Sequence, residues 1–143
     1  MKANDLMKTN VGSARSFKRV VLVATCLLDN KSGSIESLIK EGDFLVHVCP
    51  ETYHPAMIEY RLLCLLTYSN IQELCIISVE GSPYCITLHF VSDEIRRKFL
   101  PHLKITHYTV DKKGVHEISE ETIKYSRHLA KLTRLIKDQK KNQ

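Results

Sequence analysis

Apolar and polar positions along this chain fall into blocks of two lengths. Short continuous apolar runs stand at Arg19-Val-Val-Leu-Val-Ala-Thr25, Phe44-Leu-Val-His-Val48 and Leu74-Cys-Ile-Ile-Ser-Val79. Runs of this length predict strands buried on both faces, as in a parallel sheet. Ile105 to Val110 is rich in β-branched and aromatic residues and predicts a fourth strand.

The blocks between them carry a helical period. Ser34 caps an expected short helix that runs through Glu41, with Ile35, Leu38 and Ile39 on one face and Gly42 ending it. Pro55 suits the first turn of a helix over Ala56 to Tyr68, where Met57, Ile58, Leu62, Leu65 and Leu66 form an apolar stripe. Ser92 opens another, with Asp93 and Glu94 in its first turn and Pro101 stopping it. Ser119 caps a last helix whose apolar face is Ile123, Leu129, Leu132, Leu135 and Ile136.

Strands and helices therefore alternate. The expected class is α/β: a three-layer Rossmann-like sandwich with a mostly parallel four-stranded sheet and helices on both faces. Residues 1–17 lack periodicity and read as a flexible segment. Residues 18–137 read as a single α/β domain and 138–143 as a basic tail.

Composition narrows the function classes. The chain has 143 residues, 43% hydrophobic and 26% charged, which is globular rather than disordered. No apolar run approaches the roughly 20 residues of a membrane helix, and the polar start does not read as a secretory signal. Five cysteines without an export signal point to a reducing compartment, so a cytoplasmic protein is expected.

The net charge of +5 is uneven. Residues 1–19 and 131–143 each hold five basic residues and one acidic, whereas 20–130 hold 11 basic and 14 acidic. A nucleic-acid protein usually shows a basic stripe on its folded face, so basic ends are weak evidence for such a partner. Neither a G-x-G-x-x-G nor a phosphate-loop motif follows the first strand, which ranks a plain nucleotide-binding domain last.

Cysteine placement carries more chemistry. Cys26, Cys49 and Cys85 each follow one of the first three strands. In a parallel sheet those strand ends share one edge, the edge where such folds bind ligands. Three cysteines separated by 22 and 35 residues are thus expected to meet in one crevice. Gly81-Ser82-Pro83 can turn its amides inward as anion-binding loops do, and Pro50 and Pro83 stiffen the loops beside two of the thiols. Cys64 and Cys75 lie within apolar stretches and read as core. Three thiolates allow zinc, with His54 or His89 as a fourth ligand, an iron–sulfur cluster with one open iron, or a thiol redox site.

At these residues the chain resembles a known family. Val23-Ala-Thr-Cys-Leu-Leu-Asp29, Val48-Cys-Pro-Glu51 and Val79-Glu-Gly-Ser-Pro-Tyr-Cys85 are similar to the three signature segments of the thiouracil desulfidase-like family of small cysteine proteins. The likeness spans about residues 18–92. It implies a [4Fe-4S] cluster held by Cys26, Cys49 and Cys85. It also implies an open fourth iron that takes the sulfur of a thiolated nucleobase while C=S becomes C=O. Glu51 and Glu80 are the carboxylates nearest the cysteines in sequence and are the candidates for general acid/base work. Ser82 is the candidate for orienting substrate or water. Tyr84 and Ile86 stand where the family has small residues, so a narrower pocket is expected.

Two functions follow as expectations. One is a [4Fe-4S]-dependent desulfidase acting on a small thiolated compound. The other is a non-catalytic cluster or zinc module, regulatory and associated with nucleic acid through its basic ends.

Overall fold

Four apolar runs become four parallel strands. The computed structural model describes residues 2–29 and 35–143. Strand β1 is Asn4–Asp5, β2 Arg19–Ala24, β3 Phe44–Val48, β4 Glu73–Val79, β5 Lys104–Asp111 and β6 Gly114–Ile118. Their order across the sheet is β1-β3-β2-β4-β5-β6, parallel except for the last pair. The α/β class and the mostly parallel sheet agree with the sequence. The expected four strands gain one at each edge.

Burial explains the strand order. β2 lies between β3 and β4, and Val20, Val21, Leu22 and Val23 are each fully buried. Each such side chain contributes about 1.5–3 kcal/mol on leaving water. An unbroken apolar run fits only a central strand covered on both faces.

One face is covered by helices α1 (Pro55–Tyr68) and α2 (Ile86–Lys98), together with a 3-10 turn over Val11–Ala14. Ile58, Leu62, Leu65 and Leu66 of α1 and Leu88, Val91 and Ile95 of α2 pack there on Val20, Leu22, Val46 and Ile76. Met57, expected in the apolar stripe, is exposed instead.

On the opposite face, Val21, Val23, Leu45, Cys75 and Ile77 meet Leu27, Leu38 and Ile39. Their cover is two 3-10 turns, Thr25–Asp29 and Glu36–Leu38, where the sequence led us to expect a helix through Glu41. The expected cap Ser34 lies outside the described residues.

Three further expectations need correction. The segment read as a flexible lead-in over 1–17 carries β1, and its Leu6 and Ala14 are fully buried. Arg61 fixes this segment by donating to the Leu6 carbonyl at 3.1 and 3.2 Å. Helix α2 starts at Ile86 rather than Ser92, which sits buried inside the helix and donates to the His89 carbonyl at 3.0 Å.

The last helix is two helices, α3 (Glu120–Tyr125) and α4 (Leu129–Lys141), so the expected tail from 138 is largely helical. Ser119 does cap α3, accepting from the Thr122 amide at 3.1 Å. Of the expected apolar face only Ile123 is buried; Leu129, Leu135 and Ile136 are exposed.

Candidate metal centre at the sheet edge

The three strand-end cysteines follow three neighbouring strands. Val48 of β3 pairs with Ala24 of β2, so Cys49 and Cys26 follow adjacent strand ends by one and two residues. On the other side of β2, Cys85 comes after β4 and occupies the N-cap of α2. The chain passes from β2 to β3 on one side and then crosses to β4 on the other. The order of the sheet reverses there, which is where open α/β sheets form their ligand crevice.

Their exposures differ. Cys26 is exposed, Cys49 half-buried and Cys85 buried. Cys26 nonetheless lies within electrostatic reach of both Cys85 and Cys49. Burial pushes the Cys26 thiol up, the Cys85 and Cys49 charges add to this, as does Asp29, and its own backbone amide opposes them. Cys49 moves the other way. The Thr52 hydroxyl holds its thiol below the ordinary range, helped by the Thr52 and Glu51 amides and opposed by burial and the Glu51 carboxylate. A cysteine thiolate cradled by backbone N–H groups is a good metal ligand.

The loops are shaped by their own polar groups. After Cys49 the chain turns, with the Thr52 and Tyr53 amides both donating to the Cys49 carbonyl at 3.1 Å. His54 then caps α1, its Nδ1 accepting from the Ala56 amide at 3.1 Å. Ser82 Oγ accepts the Cys85 amide at 3.1 Å, so Ser82 sets the position of Cys85. Glu80 accepts the Gly81 amide at 3.2 Å, and Gly81 has φ +82°, a conformation that favours glycine. Glu51 is exposed near Cys49 in sequence, and Tyr84 and Ile86, expected to narrow the pocket, are 50% and 39% exposed.

Not every expected residue joins this edge. Cys75 is fully buried in the core, as expected, and burial pushes its thiol up. Cys64 is only half-buried and lines a surface groove with Leu63, Tyr68 and Phe99. His89 does not serve as a fourth ligand. It is 3% exposed, with Nε2 2.7 Å from Ser78 Oγ and Nδ1 2.9 Å from His107 Nδ1. Sequence reasoning missed this buried Ser78–His89–His107 chain. Its signal was polar residues at positions of apolar strands that face α2.

The donor set can be tested against the groups proposed for it. Three all-sulfur donors on adjacent strand ends match the soft, thiolate-only ligation of an iron–sulfur cluster. The N-terminal end of α2 at Cys85 favours an anionic group there. Among the described residues, no three or more His, Cys, Asp or Glu are grouped to hold a single metal ion. Zinc gathers its sulfur ligands at about 2.3 Å.

Comparison with known proteins agrees with the fold. No curated protein and no solved structure matches this chain. No helix among the described residues is long and apolar enough to cross a membrane. A family described as the Rossmann-like domain matches residues 16–143, nearly the whole chain, and with the parallel sheet and its strand-end crevice this shows that the chain belongs to the Rossmann-like domain family.

Proposed function

We propose that this protein holds a [4Fe-4S] cluster on Cys26, Cys49 and Cys85 and removes sulfur from a small thiolated compound. One observation carries the reading: three thiols follow three adjacent parallel strands, and the charges of two of them reach Cys26. The resemblance of the three cysteine segments to the thiouracil desulfidase-like family supports the same ligand set. When bound, such a cluster supplies an iron without a protein ligand, a Lewis acid for the soft sulfur of a C=S group.

The residues of this chain do the rest. Thr52 and the amides after Cys49 favour the thiolate form of one ligand. Ser82 fixes the loop that presents Cys85. Glu51, exposed at the first position after Pro50, is the carboxylate to which this reading assigns proton removal from water. Glu80, tied to its own turn through Gly81, is the second candidate for proton transfer. The net change consumes one water and releases one hydrogen sulfide as C=S becomes C=O, with no change of oxidation state.

Anaerobic protein reconstituted with iron and sulfide and mixed with 2-thiouracil tests this. Expected is release of sulfide with loss of the thiocarbonyl absorbance. A rate lower by about 100-fold or more is expected in Glu51→Gln, the range of a lost general acid/base group. A fully loaded protein that releases no sulfide from 2-thiouracil or from other thiolated heterocycles would overturn the reaction.

A further inference from the structure

A cavity of about 400 Å³ lies on the α2 side of the sheet, bordered on one side by the loop that leads to Cys85. It is bounded by the ends of β4 and β5, by β6, and by α2 and α3. Ser78, His89 and Thr109 form its buried floor. Ile86, Ile118 and Ile123 form its walls, and Glu80 and Ser82 stand at its mouth. Its size is within the ordinary range for small-molecule sites, about 300–1,000 Å³. None of its lining residues is Lys or Arg, so an anion entering it would lose its water without gaining a counter-charge.

The floor has an uncommon property. Ser78 Oγ is 2.7 Å from His89 Nε2, and His89 Nδ1 is 2.9 Å from His107 Nδ1. Two proton orders satisfy these bonds. In one, Ser78 donates to His89 and His89 donates to His107, which leaves the Ser78 lone pairs to accept from a ligand. In the other, His107 donates to His89 and His89 donates to Ser78, which frees the Ser78 hydroxyl to donate, either to a ligand or to the Tyr108 carbonyl at 3.4 Å. One side chain on the floor can therefore be donor or acceptor without any heavy atom moving.

We propose that this cavity binds an uncharged, ring-sized molecule with an amide-type headgroup. The headgroup sits on Ser78, which matches its N–H or its carbonyl, and the ring lies between Ile86, Ile118 and Ile123. The Glu80–Ser82 turn links this site to the loop that carries Cys85, but the proposal goes beyond the cluster reading and does not rest on it.

Three probes of one shape and different charge test it: benzamide, benzoate and benzylamine, each titrated into the ¹⁵N-labelled full chain. Benzamide is expected to shift the Gly81, Ile86, Thr109 and Ile123 amides saturably, and to bind at least about tenfold more tightly than the two charged probes. Ser78→Ala is expected to weaken benzamide about tenfold, as loss of one hydrogen bond does. Ile123→Trp, which fills the cavity, is expected to abolish the shifts, and Cys26→Ala to leave them intact. Equal binding of benzoate, no saturable shift from benzamide, or shifts unaffected by both cavity variants would overturn the proposal. Loss of benzamide binding in Cys26→Ala would overturn its independence from the cysteine edge.

Discussion

Acid destabilises this fold through His89 before it touches the carboxylates. The imidazole is 3% exposed, and burial, aided by the neighbouring His107, pulls it from 6.5 down to about 3. The sign follows from which state takes up the proton. Above 6.5 neither state is protonated, and the full stability is present. Below 6.5 the unfolded chain binds a proton that the folded chain refuses, so stability falls until the folded value near 3 is reached. Each pH unit in that window costs about 1.4 kcal/mol per histidine. Two units, from about 6.5 to about 4.5, therefore remove roughly 2.7 kcal/mol through His89 alone. That is a large part of the 5–15 kcal/mol that holds a typical domain.

His107 acts in the same direction, because burial lowers it against the pull of Glu120 and Asp93. Asp93, whose hydrogen bonds to Arg96 and Arg97 outweigh burial and hold it below the ordinary carboxylate range, loses its contribution only at lower pH. Glu59, raised by burial, works weakly the other way. The assay is urea unfolding followed by circular dichroism at several pH values between about 7.5 and 4.5, for the wild type and His89→Gln. The variant is expected to lose about one proton from the slope. A flat wild-type profile, or an unchanged slope in His89→Gln, would refute the argument.

Other consequences are simpler to check. Ile123→Ala should cost about 2–5 kcal/mol by opening a buried site, whereas Leu135→Ser, on the exposed side of α4, should change stability by less than about 0.5 kcal/mol; urea midpoints of the two variants decide this. Cys75→Ala should cost about 1–2 kcal/mol and Cys64→Ala less, because the first is fully buried and the second borders an open groove. Thermal melts that rank the pair the other way would contradict their placement.

How much was legible follows the physics of each element. Strands β2 to β5 were readable because their unbroken apolar runs admit few other environments. The placement of Cys26, Cys49 and Cys85 after three neighbouring strands was readable because a parallel sheet puts all those strand ends on one edge. The start of α2 was not. Ser92, Asp93 and Glu94 imitate a helix cap and acidic first turn. In the fold these acids serve side-chain pairs within the helix instead, Asp93 with Arg96 and Arg97 at 2.9 Å and Glu94 with Lys98 at 3.1 Å.

β6 was hidden because its five residues are only partly buried and alternate weakly. The chain of Ser78, His89 and His107 was hidden because it joins three elements. The β4–β5 register, which sets Ile76 against His107 and Ser78 against Thr109, brings those polar groups to one face. Sequence spacing alone does not give that register. The exposed side of α4 was misread because its apolar period is the same whether or not anything packs on it.

The central claim is the cluster on three cysteines, and metal analysis tests it most directly. Protein purified without oxygen should contain iron and acid-labile sulfide in equal amounts, about four of each per chain. Cys26→Ala, Cys49→Ala and Cys85→Ala should each lose both, while Cys64→Ala and Cys75→Ala retain them. Colourless protein with stoichiometric zinc and no sulfide, or the same content in all five variants, would contradict the account.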